Sequence, residues 1–184
     1  MTLLFDLAEP LEDRARSHNV YFAIQPDAQA VRALCGLAGG GRQDPERLHI
    51  SLYSLGRHAD LPHGRISEAT RAASAVRFAP FVVALDRLGT WGRGQGVLPV
   101  VAWSDDGVIG VRHLHEQLCA ALAETTGRRR EPAVEPHLTL WRDAIRTPLS
   151  FFAPIAWAVR EFVLVDSLRS KGRCEVLARF PLVG

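Results

Sequence analysis

Two stretches of this 184-residue chain repeat one short pattern: His49-Ile50-Ser51-Leu52 and His137-Leu138-Thr139-Leu140. Each reads histidine, apolar, hydroxyl, leucine. On a β-strand, residues two apart share a face. Each copy therefore sets an imidazole and a hydroxyl on one side and two apolar side chains on the other, toward a core. An imidazole titrates near pH 6.5, so one histidine accepts a proton while its twin donates one. The hydroxyl adds a hydrogen-bond donor on the same face. A lone histidine on a strand is usually structural. Two with matched hydroxyls, nearly half the chain apart, point instead to paired acid–base chemistry between two similar lobes.

The elements that must carry these residues follow from periodicity. Asn19–Gln25 reads as a buried strand, with Pro26 and Asp27 opening a helix through Val31, Leu34, Cys35 and Ala38 that Gly39-Gly40-Gly41 ends. Leu48–Leu55 alternates as a half-buried strand. A helix is expected from Pro62 to about Val76. Phe81–Leu88 and Val97–Trp103 read as a hairpin around the glycine-rich stretch Gly89–Gly96. Val108–Thr126 carries the stripe Val111, Leu114, Leu118, Ala121, Leu122, with Asp105 or Asp106 placed to cap its start and Gly127 its end. Strands follow at Leu138–Leu140, Trp157–Val165 and Cys174–Leu182. This order favours a mixed α+β fold over a doubly wound sheet. Residues 1–18 read as an N-terminal extension to a single domain over 19–184.

Composition narrows the class. Hydrophobic residues are 47% and charged residues 23%, an ordinary globular balance. No apolar run reaches the roughly 18 residues of a membrane span. A net charge of +2 argues against nonspecific coating of duplex nucleic acid. Cys35, Cys119 and Cys174 cannot all pair and form no C-x-x-C, which suggests a reducing compartment. A cytoplasmic location, no membrane partner and a monomer are expected. His113 and His115 diverge on a helix, and His58 and His63 lack a zinc-type ligand set. Gly89–Gly96 lacks the Gly-Lys-Ser/Thr of a phosphate-binding loop. No metal or cofactor is expected.

The paired motifs resemble the two-histidine (2H) phosphoesterase superfamily. The flanks are similar to its bacterial 2′–5′ RNA ligase and RNA 2′,3′-cyclic phosphodiesterase branch. They comprise Tyr21-Phe22-Ala23-Ile24, Leu48 through Leu52 with Leu55-Gly56, Pro136 through Leu140 with Arg142, Phe162-Val163-Leu164, Ser167 and Phe180-Pro181-Leu182. The resemblance spans Asn19 to Leu182. Val134 stands where the branch usually has an aromatic, and Cys174 where it often has a tyrosine. These departures fall on base contacts rather than on the acid–base residues. Ser51 replaces the commoner threonine and keeps the hydroxyl.

The resemblance implies two lobes, each with an antiparallel sheet flanked by helices, facing across a cleft. It implies hydrolysis of RNA 2′,3′-cyclic phosphate ends without metal, with reversible ATP-independent 2′–5′ ligation beside it. Ser51 and Thr139 would donate to the nonbridging phosphate oxygens. We take His137 as base and His49 as acid, although the symmetry of the motifs leaves the reverse open. Arg142 falls opposite His137 by strand parity, near the strand end, and by resemblance contacts phosphate or a base. Tyr53 and Trp141 share the cleft face with their histidines by parity and are placed to stack on a base or ribose. Arg169, Lys171 and Arg173 form a basic loop. A small cyclic nucleotide, a 2′–5′ oligonucleotide, or binding without turnover stand as alternatives.

Overall fold

A computed structural model describes residues 18–37, 44–127, 134–168 and 173–184. The strands are β1 (His18–Ile24), β2 (Ile50–His58), β3 (Phe81–Thr90), β4 (Leu98–Trp103), β5 (Leu138–Asp143), β6 (Ser150–Val159), β7 (Glu161–Leu168) and β8 (Arg173–Pro181). The helices are α1 (Ala28–Leu37), α2 (His63–Ser74) and α3 (Ile109–Thr126). Residues 1–17, most of the expected extension, lie outside the described residues, as does the basic loop apart from the backbone of Arg173.

The strands run in the order β6-β3-β4-β5-β2-β1-β7-β8, and every neighbouring pair is antiparallel. The sheet divides into two four-stranded lobes. The first holds β2, β1, β7 and β8; the second holds β5, β4, β3 and β6. The ladder between them is one residue pair, Ile50 with Leu138. Alternation sends Val20, Phe22, Ile24, Val100, Ala102 and Leu138 into the main core with the helices. The opposite face of the first lobe buries a smaller cluster, Tyr21, Ala23, Val163 and Val165.

Local signals act largely as expected. Asp27 caps α1 by accepting the Ala30 amide at 2.8 Å. Gly127 ends α3 in the left-handed region, with φ 65°. Gly92, Gly94 and Gly96 turn the β3–β4 hairpin at φ values above 100°, which a residue with a Cβ rarely adopts.

Two expectations are corrected. Val108, not Asp105 or Asp106, occupies the α3 N-cap, without a side-chain hydrogen bond; Asp105 instead pairs with Arg87 at 2.6 Å. Trp157–Val165 is not one strand. The chain leaves β6 on one lobe and enters β7 on the other through Arg160 alone. No glycine or proline marks that crossover, so hydrophobic patterning runs straight through it. The chain therefore ends in four strands rather than three.

Candidate active site

The seam between the lobes brings the two motifs together. Ile50 and Leu138 pair and are both fully buried toward the helices. Their flanking residues, His49 and Ser51, His137 and Thr139, therefore face the other side. In this antiparallel register each histidine stands level with the hydroxyl of the other motif. Both histidines lie one residue before their strand.

Each imidazole is held in the same way. The His49 Nδ1–H donates to the Arg47 carbonyl at 2.7 Å, and the His137 Nδ1–H donates to the Glu135 carbonyl at 2.9 Å. A carbonyl only accepts, so the proton of the neutral ring sits on Nδ1 and the lone pair on Nε2. An aromatic wall backs each ring. Tyr21 stacks on His49 with centroids 4.8 Å apart, and Trp91 lies 4.6 Å from His137. Sequence reasoning singles out neither aromatic as a partner of a histidine. Tyr21 reaches His49 along the sheet and Trp91 comes from the hairpin loop, so strand parity gives no sign of either.

Burial lowers the pKa of His49 to about 4. Its bond to the Arg47 carbonyl opposes that shift, whereas the charges of His137 and Arg47 add to it. His137 is also lowered by burial, but the Glu135 carbonyl and carboxylate both pull it back up. Both rings are thus neutral at pH 7, and a carboxylate neighbour favours the protonated form at His137. Burial and the neighbouring Cys174 raise the Tyr21 phenol above its ordinary value, so it stays protonated.

Three of the sequence-selected residues are re-aimed by β-bulges. In β2, Phe22 pairs with Tyr53 but Ala23 pairs with Ser51, so Leu52 is the extra residue. In β5, Val100 pairs with Trp141 and Val101 with Thr139, so Leu140 is the extra residue. Each bulge falls on the leucine that closes its motif and reverses the parity beyond it. Tyr53 is therefore not on the cleft face; it is 5% exposed and belongs to the main core. Trp141 is likewise turned onto that core. The same inversion returns Arg142, exposed and opposite Pro99, to the face of His137 and Thr139.

The β2 bulge has a dedicated support. His115, buried on α3, donates its Nδ1–H to the Leu52 carbonyl at 2.8 Å. Cys119, one turn further on, sits 3.5 Å from the His115 Nε2. Sequence spacing sets aside His115 as a metal ligand and gives no sign of this bond, because the bulge that frees the carbonyl is not written in the alternation. Among the described residues, no group of three or more His, Cys, Asp or Glu side chains is gathered to hold a metal ion.

A model of the 2′-5′ RNA ligase superfamily matches residues 21–171, across both motifs. The chain belongs to that superfamily. Solved structures similar to it share the fold. TT0787 of Thermus thermophilus superposes with a TM-score of 0.74 at 24% identity, covering 90% of this chain and 98% of that one. E. coli LigT complexed with 3′-AMP gives 0.72 at 24% identity, covering 91% and 99%. An RNA 2′,3′-cyclic phosphodiesterase of Geobacillus stearothermophilus is 28% identical over 92% of this chain. The chain spans 58% of that relative's length. The two-lobed α+β architecture expected from the superfamily resemblance is thus present, and no helix among the described residues is long and apolar enough to cross a membrane.

Proposed function

We propose that this protein hydrolyses RNA 2′,3′-cyclic phosphate ends by acid–base catalysis between His49 and His137. The observation that carries this reading is the symmetry of the seam. Two imidazoles, each with Nδ1 tied to a carbonyl two residues back, keep Nε2 for a substrate, and each stands level with a hydroxyl. Opening a cyclic phosphate needs a water to lose a proton as it attacks phosphorus and the departing ribose oxygen to gain one. In-line attack puts those oxygens on opposite sides of phosphorus, and one histidine from each lobe serves each side. Ser51 and Thr139 donate to the nonbridging oxygens, and Arg142 lies on the same face to meet the phosphate.

The Glu135 carboxylate beside His137 favours its protonated form, which suits His137 to the proton-donating step and leaves His49 to the base step, the reverse of the sequence-based choice. The relative named RNA 2′,3′-cyclic phosphodiesterase supports the substrate class. With a 5′-hydroxyl in place of the attacking water, the same steps open the cyclic phosphate onto a second RNA end, the 3′-oxygen leaving with the proton, which is the 2′–5′ ligation that the superfamily's name describes.

The test is incubation with an oligonucleotide ended in a 2′,3′-cyclic phosphate, in excess EDTA, with His49→Ala and His137→Ala alongside. Wild type should give a single phosphate isomer, and each folded variant should give none. Undiminished product from either variant would refute the mechanism.

A further inference from the structure

A strip of aromatic side chains runs away from His137 across the second lobe, and the proposed phosphate chemistry does not use it. Trp103 on β4 falls level with His137, one step beyond the Ala102–Leu138 pair. Arg87 on β3 pairs with Trp103 on one side and with Phe151 on β6 on the other. Trp91 bridges the start of the strip, 4.6 Å from His137 and 5.4 Å from Trp103. At the far end the Arg87 guanidinium lies 5.5 Å from the centre of the Phe151 ring. Gly89 leaves room for the Trp103 ring, which a Cβ there would approach to 3.3 Å.

Three features say what this strip takes. Phe151 is 70% exposed, so it is a ring presented to solvent and not a core residue. Asp105 neutralises Arg87 at 2.6 Å, so the strip offers flat π surface with little net charge. That combination suits nucleobases better than phosphates. The strip also spans three strand spacings, about 14 Å from His137 to Phe151. A stacked strand advances about 3.4 Å per nucleotide, so the strip accommodates more than the terminal nucleotide. In the first lobe the same face is largely aliphatic around Tyr21, with Ala23, Val163, Val165 and Val176. The feature therefore gives the cleft a direction.

We infer that this strip is a base-stacking track for the single-stranded RNA body behind the cyclic end, with Phe151 as its outer platform. The inference rests on the proposed cyclic phosphodiesterase reading and adds to it the surface that holds the RNA behind the reacting end.

Phe151→Ala is the test, because so exposed a ring is dispensable for folding. Phe151→Trp is the conservative partner. Two measurements decide it: kcat/KM for a pentanucleotide, long enough to reach Phe151, against a mononucleotide, both ended in 2′,3′-cyclic phosphate, and Kd for a 3′-phosphate pentanucleotide that is not turned over. Phe151→Ala should lower the pentanucleotide-to-mononucleotide ratio about 10- to 100-fold and weaken pentanucleotide binding to match, the range for one lost base–aromatic stack. Phe151→Trp should restore both. An unchanged ratio with unchanged binding would overturn the track. So would a shift to dimer in Phe151-containing protein alone, which would make the strip a contact between copies. If wild type opens no cyclic phosphate, the functional reading fails, and the binding measurement still decides the track by itself.

Discussion

Replacing His115 with leucine tests how the first motif is held. The side chain is 3% exposed and its Nδ1–H meets the Leu52 carbonyl at 2.8 Å. Leucine fills a similar volume between α3 and β2 but donates nothing. The Leu52 carbonyl, at a bulge and 1% exposed as a residue, is then left without that donor. An orphaned buried polar group costs about 1–3 kcal/mol. For a chain of this length each kcal/mol moves Tm by about 2–4 °C. His115→Leu should therefore lower Tm by about 2–12 °C and shift the urea midpoint without changing the slope m. His115→Asn keeps an N–H near the Nδ1 position and should recover a large part of the loss. The bulge also sets where the chain turns after Ser51, so the leucine variant should lose kcat more than KM in the cyclic phosphate assay. A leucine variant within about 0.5 kcal/mol of wild type, or an asparagine variant no better than leucine, would refute the argument.

Removing one hydroxyl, by Ser51→Ala or Thr139→Ala, should lower kcat about 10²- to 10³-fold in single-turnover assays, whereas Ser51→Thr should retain most of it. The profile of kcat/KM against pH should rise as His49 loses its proton near pH 4. It should fall as His137 loses its own below pH 6.5, so the optimum lies on the acid side of neutrality. An optimum above pH 8 would contradict that order. Gly107→Ala would place a Cβ 2.0 Å from the Ala84 carbonyl oxygen, where the Ala84 amide and the Gly107 carbonyl are already bonded at 2.9 Å. It should cost about 3 kcal/mol or more, seen as a lowered urea midpoint or loss of soluble protein.

What the sequence discloses and what it hides divide along one physical line. Alternation is a local signal, and it correctly puts His49 with Ser51 and His137 with Thr139 on one face, with Ile50 and Leu138 behind them. A bulge breaks alternation by one residue and leaves no mark in composition, so parity sends Tyr53 and Trp141 to the cleft although they lie against the core. The same blindness sets Arg142 on the wrong side. Arg160 shows the limit at a larger scale: the residues on both sides of it are strand-forming, and only the twofold layout of the sheet reveals that the chain changes lobes there. The aromatic walls behind the histidines, Tyr21 and Trp91, are tertiary contacts that no spacing rule contains.

The crossover at Arg160 also sets an order of assembly. All four strands of the second lobe come from one uninterrupted segment, residues 81–159, whereas the first lobe joins residues 18–58 to residues 161–181. During synthesis the sheet that carries His137 is complete while β1 and β2 still lack both β7 and β8. The β1–β7 ladder closes across some 140 residues of chain, the kind of long-range pairing that folds slowly. Until it closes, the apolar faces of β1 stay open and prone to wrong pairing. The half of the cleft built around His49 is therefore the last part of the molecule to mature, and the strands made last decide when the two histidines first face a common substrate.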